Sequence, residues 1–231
     1  MLALAGCGGD GGGTDGGRLS VYLSLPLSGG RAAEGRAAAG GAGRALRRNG
    51  GEAGGHMVRV VVLDDTGGSA RWTLASAGAN ARAAAQDSAA IAFIGDLDSG
   101  ATRASLPITN QAGLVQIAPA PTARDLTHRV SERLTPERYR PSGDQTFLRL
   151  YPVGGDLEPC SGFAGTVQFE GGDEAALGYE AMSVVLDAIG EAGADREEVR
   201  EAILEGGQRR GPFGAYAIDP SGDVSTAGGC P

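Results

Sequence analysis

Residues 57–65 read "MVRVVVLDD". A near-continuous β-branched run of this length predicts a strand buried on both faces, as in the interior of a parallel sheet. Working backward, "NGGEAGG" supplies a helix stop and a turn, and the alanine-rich stretch from Arg31 to Arg48, with Leu46, fits a helix. Before it, "LSVYLSLPL" is a short β-prone run ended by Pro26. Working forward, "TGGSARWTLASAGANARAAAQDSA" predicts a second helix with Ser69 as a candidate N-cap. "IAFIG" is a third strand, "SGATRASLPITNQAG" a third helix and "LVQIAP" a fourth strand. Strands separated by helices predict an α/β fold: a parallel sheet with helices on both faces.

The 231 residues suffice for one substantial core, or one core with a small appendage. A 41% apolar and 21% charged composition is ordinary for a globular chain, whereas 41 glycines are many. Every basic residue is arginine. The absence of lysine excludes Schiff-base chemistry and a P-loop lysine. A net charge of −8 has the wrong sign for a nucleic-acid footprint, and no arginine stripe with interleaved aromatics is present.

The opening "MLALAGCGGDGGGTDGGR" places Leu4-Ala5-Gly6 before Cys7. This resembles a bacterial lipobox, whose cysteine carries lipid at the start of the mature protein. Only Leu2 to Ala5 precede the cleavage point, short of the apolar run of a secretory signal, so either the start lies upstream or the segment is a remnant. A chance cysteine in a tail is the plain alternative. Residues 8–17 are Gly, Asp and Thr, a tether with nothing to bury. No run of 18 apolar residues exists, so membrane attachment is expected only through lipid on Cys7, on the extracytoplasmic side.

In parallel sheets, ligands bind at the carboxyl ends of the strands. After the third strand, Ser99 and Gly100 open a helix, where free amides and the helix dipole favour an anion. After the fourth, the Ala120 carbonyl and the Thr122 hydroxyl accept from an ammonium. One donor patch and one acceptor patch suit a zwitterion. Equally, Ser99 N-caps its helix and Thr122 makes a turn, with no ligand involved.

The ordered segments "LPLSG", "AAEGRAAAGGAGRALRRNGGEAGG", "VRVVVLDDTG" and "AFIGDLDSGATRASLPITNQAGLVQIAPAPTARDLT" resemble lobe 1 of the leucine/isoleucine/valine-binding family of periplasmic substrate-binding proteins, type I fold. The resemblance runs from about Leu19 to Pro152, where "RYRPSGDQTFLRLYP" is similar to the segment entering lobe 2. "DEAALGYEAMSVVLDAIGEAGADREEVREAIL" is similar to the helix pair returning to lobe 1, and "GPFGAYAIDPSGD" to the late hairpin. The resemblance implies amino-acid binding for an ABC permease, with no cofactor and no catalysis. Ser99 and adjacent amides such as Gly100 would hold the ligand carboxylate; Ala120 and Thr122 would hold its ammonium.

It also implies departures. Glu34 stands where the family often places an aromatic against the ligand. The whole of lobe 2 should fall between Pro152 and about Gly172, where about twenty residues stand, against on the order of 100 for a lobe. The expected organisation is a tether (1–18), a lobe 1 core (19–152), a remnant of lobe 2 (153–172), a helix pair (173–206), and a hairpin with tail (207–231). Half a cleft leaves a ligand wet, so amino-acid binding is expected to be weak. With Cys7 lipidated, Cys160 and Cys230 remain as an even pair for a disulfide in an oxidising compartment, or as two free thiols in loops.

Other chemistry is less well supported by the residues. Asp64, Asp65, Asp96 and Asp98 could gather at the strand ends to hold a cation or act as acid and base, although such acids more often cap helices and face water. His56 and His128 are not at metal-ligand spacing, "GAGRAL" lacks a third glycine, Tyr179 reads as core, and no serine sits in a G-x-S-x-G elbow. Two other classes stay open: a lipid-anchored interaction or sensor module for a protein partner, and a truncated paralogue that binds nothing.

Overall fold

The computed structural model describes residues 17–121, 123–150, 172–212 and 214–226. Cys7, Thr122, Cys160 and Cys230, and with them most of the tether and of the shortened segment, lie outside the described residues.

Strands β1 (Leu19–Leu25), β2 (Glu52–Ala53), β3 (His56–Asp64), β4 (Ala90–Ile94), β5 (Val115–Ala118) and β6 (Phe147–Arg149) form one sheet in the order β2-β3-β1-β4-β5-β6. All neighbours run parallel except the two-residue β2, which is antiparallel to β3. The crossovers are α1 (Ala32–Arg48), α2 (Leu74–Gln86) and α3 (Ser99–Gln111). After the undescribed segment come α4 (Gly172–Ala192) and α5 (Arg196–Glu205), then β7 (Gln208–Gly211), β8 (Gly214–Ile218) and β9 (Val224–Thr226) in a separate antiparallel sheet. The fold is α/β, a parallel sheet covered on both faces.

Alternation along β1 divides the core. Val21, Leu23 and Leu25 join Ala38, Ala42, Met182 and Ile189 of α1 and α4 on one face, while Tyr22 joins Ala81, Ala84 and Phe93 on the other, under α2. The alanines and glycines of α1 let α4 approach closely. A Cβ on Gly41 would stand 1.9 Å from the Ala175 carbonyl oxygen, and one on Gly178 would stand 2.1 Å from that of Ala38. Larger residues at either position would force the helices apart. At the amino end of the sheet, Arg196 opens α5 and donates to the carbonyls of Ala90 (2.8 Å), Ala112 (3.1 Å) and Asp87 (2.8 Å).

Two local expectations are corrected. β3 is not buried on both faces: Met57 is 50% and Val62 40% exposed. It lies beside the sheet's edge, where among the described residues only β2 pairs outside it, at His56 and Met57, so the doubly buried strand is its neighbour β1. The cap of α2 is Thr73, not Ser69; the Thr73 hydroxyl accepts from the Ser76 amide at 3.0 Å. Residues 66–72 therefore form a loop, with Gly67 and Gly68 at φ of 58° and 83°, conformations that cannot open a helix.

Candidate functional site

The loops after β1, β3, β4 and β5 meet at the carboxyl edge of the sheet, the edge where parallel sheets take ligands. Ser99 begins α3, but the N-cap is Asp98, whose Oδ1 accepts from the Gly100 amide at 2.7 Å. The anion-favouring helix end thus already faces a carboxylate of the chain itself. The Ser99 hydroxyl accepts from the Ala123 amide at 3.1 Å, which joins the start of α3 to the loop after β5. Ala120 is half-buried against the core; Thr122 lies outside the described residues.

The loop after β5 is held from behind by Arg149, which is fully buried. Its Nε and Nη2 donate to Asp223 Oδ1 at 3.0 and 2.6 Å, Nη2 also donates to the Thr127 hydroxyl at 2.7 Å, and Nη1 donates to the Ala123 carbonyl at 2.9 Å. A buried guanidinium persists only when its donors are so satisfied. Its signal was present in "FLRLYP": an arginine in an apolar strand requires an acid elsewhere. Asp125 is likewise fixed, accepting from Arg103 at 2.6 Å and from the Tyr139 hydroxyl at 2.7 Å. These pairs hold its carboxyl below the usual range, the Arg103 hydrogen bond most of all, against the opposing effect of burial.

The four acids at the strand ends have different surroundings. Burial would raise the Asp64 carboxyl, but hydrogen bonds from the Leu27 amide, Ser28 and Thr66 prevail and hold it well below the ordinary value. Asp96 is fully buried, yet both its oxygens are partnered: Ser24 donates to Oδ1 and Ser105 to Oδ2, each at 2.6 Å. Burial pushes it up to about 6, opposed by those hydroxyls. Asp65 is 1% exposed, and its Oδ1 is buried without a hydrogen-bond partner. Burial, then Asp96, Asp64 and Asp98, push it up to about 7, with Arg31 opposing. The expectation that such acids face water fails for Asp65 and Asp96. Among the described residues, no three His, Cys, Asp or Glu side chains are placed to hold a metal ion.

Beside Asp65 opens a cavity of about 240 Å³, lined by Pro26, Ser28, Arg31, Asp65, Trp72 and Asp98 with Ala70 and Arg71. Trp72 escapes a reading that places residues 66–89 in a helix. Its ring lies against the start of α3: a Cβ on Gly100 would stand 2.3 Å from Trp72 Cζ2, so only glycine admits the indole there. Glu34, where the resemblance expects an aromatic, accepts from Arg31 Nε at 2.6 Å.

No family model matches the sequence, and no curated protein matches it. Solved structures do match the fold. A leucine-binding protein of Thermotoga maritima aligns with a TM-score of 0.64 at 18% identity, the aligned span taking in 89% of this chain and 93% of that one. A branched-chain amino acid transporter substrate-binding protein of Streptococcus pneumoniae, in complex with isoleucine, gives 0.65 at 17% identity over 90% and 96%. A solute-binding protein of an ABC transporter from Rhodopseudomonas palustris, in complex with benzoate, gives 0.69 at 15% identity over 90% and 91%. These neighbours are solute-binding proteins rather than enzymes, and the chain has the fold of a type I periplasmic binding protein lobe.

Proposed function

We propose that this protein is an extracytoplasmic solute-binding lipoprotein working with an ABC permease, and that it binds small amino acids weakly. The observation that carries this reading is the bond from the Ala123 amide to Ser99, which joins the start of α3 to the loop after β5 at the carboxyl edge of a type I binding-protein lobe. A ligand carboxylate would sit at Ser99 and Gly100, its ammonium at Ala120 and Thr122. Asp98 weakens this arrangement, since it occupies the Gly100 amide and repels an incoming anion. The sequence between β6 and α4 has no room for a second lobe to close over the ligand, and hydrogen bonds left facing water add little net affinity.

Calorimetric titration of the purified protein with leucine, valine and glutamate tests the reading. Dissociation constants in the millimolar range or weaker are expected; a micromolar constant for any of the three contradicts it. Lipidation rests on Cys7, so a Cys7→Ser protein is expected in the soluble fraction. A peptide joining Cys160 to Cys230, seen by non-reducing mass spectrometry, is expected if these two staple the shortened segment to the tail.

A further inference from the structure

The cavity beside Asp65 has a chemistry that the amino-acid patch does not use. Among the described residues, four side-chain atoms are buried without a hydrogen-bond partner: Asp65 Oδ1, Arg140 Nε, Gln145 Oε1 and Arg209 Nε. Of their residues, Asp65 lines this cavity. An orphaned buried carboxyl oxygen is costly unless something donates to it. Asp98 stands on the same wall, and Trp72 offers an aromatic face, the preferred surface for an organic cation.

The cations already present are partly committed. Arg31 donates to Glu34 through Nε at 2.6 Å, pairs with the same carboxylate through Nη2, and donates from Nη1 to the Leu97 carbonyl at 3.4 Å. Arg71 is exposed on the rim. Since no three metal-binding side chains converge among the described residues, the acids favour an organic cation over a metal ion.

We propose that this cavity binds a small organic ammonium with an apolar body, its charge held between Asp65 and Asp98 and its body laid against Trp72. The site adjoins the Ser99 patch, since Asp98 caps the Gly100 amide and Trp72 lies against Gly100, but it requires no carboxylate on the ligand. Asp65 is surrounded by Asp64, Asp96 and Asp98, with Arg31 opposing them, and takes up a proton as pH falls through about 7. Cation binding therefore strengthens as pH rises.

Trp72 is the sole tryptophan, so its fluorescence reports the cavity directly. Benzylamine, titrated into the full chain at pH 6 and pH 8, is expected to give a saturable change at both, about tenfold tighter at pH 8 because Asp65 is mostly protonated at pH 6. Asp65→Asn is expected to weaken binding and abolish the pH dependence. In the unmutated protein, calorimetry at pH 6.5 in two buffers of different ionisation enthalpy is expected to show a proton released on binding. A silent benzylamine titration, an equal response to benzyl alcohol, or tighter binding at pH 6 overturns the proposal. Weak leucine binding without benzylamine binding would leave the transport reading standing and remove this one, whereas micromolar leucine binding alongside saturable benzylamine binding would overturn the weak-binding reading and leave this one.

Discussion

Asp65 and Asp96 follow the two strands that flank β1, are both buried, and are both pushed upward in pKa, yet they stand in opposite situations. Asp96 has a hydroxyl on each oxygen. Around it, Gln116 donates to the Gly95 carbonyl at 2.9 Å and to Ser105 at 2.8 Å, and accepts from Thr109 at 2.6 Å. Further along the same edge, the Arg149 and Asp223 pair closes the loop after β5. Asp65 has an unpaired oxygen beside a cavity. The satisfied side is the scaffold that sets the geometry of the edge, and the unsatisfied side is where a ligand has something to offer.

The largest test breaks the closed side. Arg149→Met leaves Asp223 buried without its guanidinium and is expected to cost about 3–5 kcal/mol of stability, read as the midpoint shift in urea unfolding. His128 Nε2, 2.8 Å from Asp223 Oδ2, would remain as a partial partner. An effect below about 1 kcal/mol would mean that this side is not locked as described. Next is Ser105→Ala, which deprives Asp96 and Gln116 of one partner each and is expected to cost about 1–3 kcal/mol.

The smallest effect belongs to the open side, and its sign depends on pH. A carboxyl raised from about 3.8 to about 7 holds a proton in the folded state that the unfolded state has released. Its stabilising share is complete below about pH 4 and is lost as pH rises through about 7. Asp96, at about 6, and Glu180, at about 7, act in the same direction. The protein is therefore expected to melt at a lower temperature at pH 8 than at pH 5. Asp65→Asn should change stability by less than about 1 kcal/mol at pH 5, where Asp65 is already neutral, and should shrink the loss at pH 8. An unchanged pH profile in that variant would remove Asp65 from the account.

The order of strands and helices was legible because each has its own period: β-branched runs, alanine-rich stretches, and glycine-rich breaks between them. What failed depended on neighbours. The exposure of Met57 and Val62 depends on β3 lying beside the sheet's edge, which its own residues do not encode. Ser69 and Thr73 are both plausible caps, and choosing the earlier one hid Trp72 inside a helix. The pairing of Arg149 with Asp223 crosses 74 positions, so the sequence shows the need for a partner but not its identity. The adjacent acids of "DD" look alike, and only the packing leaves Asp64 with donors from three residues and Asp65 with an orphaned oxygen.

Amide shifts recorded during a benzylamine titration at pH 8 test most directly whether incomplete hydrogen bonding marks the ligand site. Saturating shifts are expected at residues 64–73 and 97–100 and at the Trp72 indole, with residues 123–127 and 221–223 unmoved. The absence of saturating shifts, or shifts concentrated around Asp223 and Arg149, would contradict the account.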